Sequence, residues 1–154
     1  MFGATNFFSV NGLPTVSITS VDASATEGNT DLASFTLTRT GNTTGNLTVT
    51  LAPSVTATKW IDYRRSPQGD MPDSFTIPAG ASSTTITIQA WDDTDVEGTE
   101  TAILTIQPSP NYNIGTPRSV SITILDNDTA AIVPTVMVTA TDANASESAG
   151  DTGA

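Results

Sequence analysis

Apolar residues recur at every second position in seven short runs, and this alternation restricts the fold more than any other feature of the chain. The runs are Val16 and Ile18; Phe35 and Leu37; Leu47, Val49 and Leu51; Phe75 and Ile77; Ile86, Ile88 and Ala90; Ala102, Leu104 and Ile106; and Val120, Ile122 and Ile124. A period of two sends alternate side chains to opposite faces of a strand, and threonine or serine fills most of the second face. Half-buried antiparallel strands read this way. Turn residues occupy the breaks, at Gly41-Asn42, Ala79-Gly80 and Pro108 to Pro117. No stretch carries a helical period. The pattern predicts an all-β fold, a seven-stranded antiparallel β-sandwich with two facing sheets. With 154 residues, 37% of them hydrophobic, the chain can bury one core of ordinary size.

Between two of these strands lies the most charged stretch of the sequence. From Asp92 to Glu100 five of nine residues are acids: Asp92, Asp93, Asp95, Glu97 and Glu100. Carboxylates this close repel one another, so the connection either holds a cation or stays fully solvated. Sixteen acids against five bases give a net charge of −11, which argues against nucleic-acid or anionic-membrane partners, since both need basic patches. Cysteine and histidine are both absent. That excludes disulfides, thiolate sites and His-dependent triads, and leaves cations that prefer oxygen ligands. Asp93 to Gly98 imitates the start of an EF-hand loop, but the twelfth position is Leu104 and strands flank it.

The ends of the chain are organised differently. Residues 1–13 form an Asn/Gly-rich arm with apolar points at Phe7, Phe8, Val10 and Leu13. They lack the basic start and long apolar stretch of a signal peptide, so an export signal would lie upstream or have been removed. No run reaches membrane-spanning length, and no membrane insertion is expected. Pro134 to Glu147 echoes Pro14 to Glu27 at a constant offset of 120 (134 − 14). The chain therefore divides into the arm, one full unit at 14–128, a linker at 129–133 and the opening strand of a second repeat at 134–154. That strand is either orphaned or donated to a neighbour.

Five motifs in order carry a family resemblance. They are Ala25-Thr26-Glu27-Gly28; Asp62-Tyr63; Ile77-Pro78-Ala79-Gly80; Trp91-Asp92-Asp93 with Glu97-Gly98-Thr99-Glu100; and Ile124-Leu125-Asp126-Asn127-Asp128. Together the unit resembles a Calx-beta domain, the calcium-binding, immunoglobulin-like sandwich of sodium–calcium exchangers and many bacterial surface proteins. The resemblance implies that Ca²⁺ is bound at one end of the sandwich by Glu27, Asp62, Asp92, Asp93, Glu97, Glu100, Asp126 and Asp128. Ca²⁺ takes six to eight oxygens, so eight acids would suit two or more ions with bridging carboxylates. This chain departs from the pattern at Asn127, where acidic relatives carry a third aspartate. It departs again at Lys59-Trp60-Ile61 and Arg64-Arg65, where bases flank Asp62 and are expected to neutralise it in part.

The expected function is that of a calcium-binding structural or adhesive module of an extracellular or cell-surface repeat protein, and not an enzyme. Its partners would be calcium ions, neighbouring repeats or identical subunits, and a surface or matrix ligand. The alternative is a filament subunit assembled by strand donation through the terminal segments. Trp60 and Trp91 offer sugar-stacking platforms, although Trp91 reads better as a cap on the core. Asp31, Asp70 and Asp73 read as turn or solvated residues. Sequons stand at Asn42, Asn46, Asn127 and Asn144.

Overall fold

The computed structural model describes residues 12–28, 30–67 and 69–140. Ten strands appear in chain order: β1 (Thr15–Asp22), β2 (Ser24–Thr26), β3 (Leu32–Thr40), β4 (Leu47–Val55), β5 (Tyr63–Ser66), β6 (Ser74–Ile77), β7 (Ser83–Ala90), β8 (Glu100–Ile106), β9 (Asn113–Ile114) and β10 (Ser119–Leu125). They form two five-stranded sheets, one ordered β5-β7-β3-β1-β9 and the other β2-β10-β8-β4-β6. No helix occurs among the described residues.

Seven of these strands are the seven alternating runs. The other three, β2, β5 and β9, are two to four residues long, too short to show a period. The sandwich is also not wholly antiparallel, because β1 runs parallel to β9 and β10 parallel to β2. One short strand, β2, and one parallel pairing trace to a single event. β1 pairs with β3 until its register shifts between Ser20 and Asp22, and the chain then crosses to the second sheet as β2. A bulge of this kind bends a strand and lets it change sheets.

The core lies between the inner faces. Val16, Ile18, Phe35, Leu37, Ile86 and Ile88 from the first sheet face Val49, Ile77, Leu104, Ile106, Ile122 and Ile124 from the second, all essentially inaccessible to water. Phe35 and Phe75 meet across the sheets edge to face, with ring centroids 5.8 Å apart. Burying side chains of this size contributes roughly 1.5–3 kcal/mol each, which makes the sandwich the main source of stability.

One end of the sandwich is held by a buried cation. Arg39, at the end of β3, donates from Nε to Ala81 O (2.8 Å), from Nη1 to Gly45 O (2.7 Å), and from Nη2 to Thr43 O (3.0 Å) and Pro78 O (2.8 Å). These carbonyls belong to two turns, 41–46 and 78–81. In the second, Ala81 N donates to Pro78 O, and Gly80 takes φ +80, which a type II turn requires at that position. Beyond β10, residues 129–140 carry no regular structure and are exposed throughout; Ile132, Val133, Val136, Met137 and Val138 are 82–95% exposed.

Candidate metal centre

The acids gather at the end opposite Arg39 because strand registers bring them there. The parallel pairing of Leu125 with Thr26, and the bond from Glu27 N to Leu125 O (3.0 Å), set Glu27 beside the end of β10, where Asp126 follows. Glu100 opens β8 directly opposite Ile124. Tyr63 pairs with Ala90, and Trp91 N donates to Asp62 O (2.8 Å), so Asp62 meets the start of the acidic loop.

Six of the eight candidate ligands fall into two triads. One is Glu27, Asp126 and Asp128; the other is Asp62, Glu97 and Glu100. Within each triad, one carboxylate oxygen per residue lies within 4.8 Å of the others. Asp126 links the two. Its Oδ2 accepts from Glu97 N and Gly98 N, both at 2.8 Å, and its Oδ1 accepts from Asp128 N at 2.6 Å. The acidic loop is thereby folded back onto the end of β10. Asp62 is tied in the same manner: Thr58 N donates to its Oδ2, and its own amide donates to Thr58 O (2.9 Å).

Asp92 and Asp93 stand beside the triads. Asp92 Oδ1 accepts from Asn127 Nδ2 (3.1 Å), and Asp93 Oδ1 accepts from Asp95 N (2.8 Å), which turns the loop. The Asn127–Asp92 bond passes over Gly28, where φ is +66 and a Cβ would lie 2.0 Å from Asn127 Nδ2. Only glycine fits that close approach. Asn127, the departure from the acidic pattern, thus bonds a carboxylate instead of adding one.

Titration follows the crowding. Burial, then the charges of Asp93, Asp126, Glu97 and Asp128, raise Glu27 to about 7. Burial, then a hydrogen bond with Asp62 and the charges of Asp62 and Glu97, raise Glu100 to about 7. Glu97 and Asp128 are raised by desolvation and by their acidic neighbours. Asp126 is held below its usual range by the amides of Gly98, Asp128 and Glu97. Asp95, absent from the ligand set read from sequence, adds to the field on Glu97 and Asp128.

Two of the three neighbouring bases make their closest contacts outside the triads. Lys59 Nζ pairs with Asp73 Oδ1 at 2.5 Å, and the Arg64 guanidinium lies over the Trp91 ring, 3.7 Å from its centroid. Trp91 is 40% exposed, so it does not cap the core, and Arg64 covers one of its faces. With the carboxylates ionised, Glu100 Oε2 and Asp128 Oδ2 are buried with no donor, one in each triad.

Among solved structures, the fold matches the apo-form Calx CBD1 domain at a TM-score of 0.52 and 18% identity, over 75% of this chain and 99% of that one. It matches CBD12 from CALX1.2 at 0.53 and 17% identity, over 73% of this chain and 45% of that one. The Calx CBD2 domain matches at 0.50 and 11% identity, over 73% and 86%. These likenesses establish the Calx-beta sandwich fold. No protein-family model matches the sequence.

Proposed function

We propose that the chain is a calcium-binding β-sandwich module of an extracellular or cell-surface repeat protein, with a structural or adhesive role. The observation that carries this reading is the pair of partnerless buried carboxylate oxygens, Glu100 Oε2 and Asp128 Oδ2. A buried acceptor with no donor leaves its desolvation cost uncompensated, and a coordinated cation removes that cost. The donor set is entirely oxygen, and its residues come from separate loops and strand ends. That suits Ca²⁺, which accepts many carboxylates in flexible geometry, better than Mg²⁺, which keeps several waters.

Glu27, Asp126 and Asp128 would hold one ion, and Asp62, Glu97 and Glu100 a second, with Asp92 and Asp93 at the margin. The role then follows from where the chain leaves. Asp128 belongs to the first triad and leads straight into 129–140, so an ion there stiffens the exit toward whatever follows. Binding only the folded state stabilises it by RT ln(1 + [L]/Kd). Calorimetric titration of metal-free protein tests this. Heat of binding and a raised melting temperature are expected, with Asp128→Asn and Glu100→Gln each impairing one site. Millimolar calcium that leaves both readouts unchanged sinks the reading.

The exposed apolar residues of 132–138 favour a second reading, strand donation into a filament. The sheet edges offer little to pair with, because β2, β5, β6 and β9 are two to four residues long and β1 already lies between β3 and β9. Polymers that vanish when residues 134–154 are deleted would nonetheless establish it.

A further inference from the structure

We infer that Trp60 and Ile61 form a docking knob for a second copy of this chain, which receives it in the cleft at the opposite end of its sandwich. This goes beyond the metal reading, because the knob needs no ion.

Trp60 has φ +80, a backbone region that bulky L side chains rarely adopt. Its turn holds it there: Trp60 N donates to Tyr63 O (3.0 Å), while Ile61 N and Asp62 N both donate to Thr58 O. Glycine would occupy the position without strain, so the local fold does not call for an indole. Trp60 is nevertheless 49% exposed and Ile61 55%. A strained backbone that presents an aromatic side chain to water points to a role outside the monomer.

The opposite end carries a cleft of about 270 Å³, lined by Pro14, Arg39, Asn42, Asn46, Leu47 and Asn111 among others. That is room for one aromatic side chain, and it falls below the ~300–1,000 Å³ of typical small-molecule pockets. Its polar atoms suit an indole. The Asn111 side-chain carbonyl can accept from the indole N–H, whereas those of Asn42 and Asn46 already accept from Thr44 and from the amide of Ala79.

Charge favours the same pairing. Glu27, Asp62, Glu97, Glu100, Asp126 and Asp128 outnumber Lys59, Arg64 and Arg65 at the knob's end, whereas the segments around the cleft, 12–15, 39–47, 78–82 and 107–118, contain Arg39 and Arg118 and no acid. Ends of this kind steer into head-to-tail register. The chain path agrees, since Pro134 repeats the cleft-lining Pro14 and follows Asp128 by six residues, about 20 Å of chain at most. A unit opened by Pro134 begins with its cleft end within that reach of the acidic end.

The experiment is sedimentation of the full chain up to about 1 mM, the effective concentration a short linker imposes. Trp60→Gly keeps the turn and removes the knob; Asn111→Trp fills the cleft. The parent is expected to self-associate, with and without calcium, and neither variant to do so alone. Mixing the two should give a heterodimer that grows no further, because each supplies the half the other lacks. A parent that stays monomeric at 1 mM overturns the inference. So does self-association that survives Trp60→Gly, or a mixture that fails to pair.

Discussion

Glu27→Gln should act in opposite directions with and without calcium. In the metal-free fold, the Glu27 carboxyl is buried among four acids and raised from 4.5 to about 7. Its proton is therefore held more tightly folded than unfolded. The associated stability is complete below pH 4.5 and is lost as pH rises through the window from 4.5 to 7. At about 1.4 kcal/mol per pH unit, the loss is about 3 kcal/mol. Glutamine imitates the neutral carboxyl, so the metal-free variant should match the parent at pH 4 and exceed it by up to about 3 kcal/mol at pH 8. A slope remaining in the variant belongs to Glu100, also raised to about 7, with Glu97 and Asp128, raised in the same direction, adding to it. Saturating calcium reverses the order, because the amide carries no charge and the first triad keeps only Asp126 and Asp128. Urea denaturation from pH 4 to 8, with metal-free and calcium-loaded protein, measures all four states. Metal-free stability that is flat across this range, or a variant weaker than the parent at pH 8 without metal, would refute the reasoning.

Other substitutions probe the supports of the site. Asp126→Ala should free the amides of Glu97 and Gly98, and hydrogen exchange at those two residues should rise together. Gly28→Ala forces a side chain into the Asn127–Asp92 contact at positive φ, so a loss of about 1–3 kcal/mol and weaker calcium binding are expected by melting and titration. Arg39→Met strands four turn carbonyls at the far end, costing about 3 kcal/mol or more on denaturation while leaving calcium affinity unchanged. Lys59→Met should alter calcium affinity little, since its ammonium pairs with Asp73 and not with a triad.

The long strands were legible because each carries its own period of two, from Val16 and Ile18 to Ile122 and Ile124. The strands β2, β5 and β9 were not, because a segment of two to four residues holds no period and forms only where a longer partner offers it hydrogen bonds. The candidate ligands were legible as an acidic set, through motif order and through the absence of histidine and cysteine. Their division into two triads was not. Glu27 meets Asp126 across 99 positions (126 − 27), and Asp62 meets Glu97 across 35 (97 − 62), so only sheet register can bring them together. The same holds for Lys59 and Arg64. Sequence puts them beside Asp62, but their long side chains reach Asp73 and Trp91 instead. Residue type and spacing by themselves determined the alternating faces, the surplus of carboxylates and the repeat at offset 120, since these are properties of a local chain. Tertiary structure decided which carboxylates share a site, which oxygens lose their water, and that Trp60 is held at φ +80, because proximity and burial arise only when distant strands close on one core.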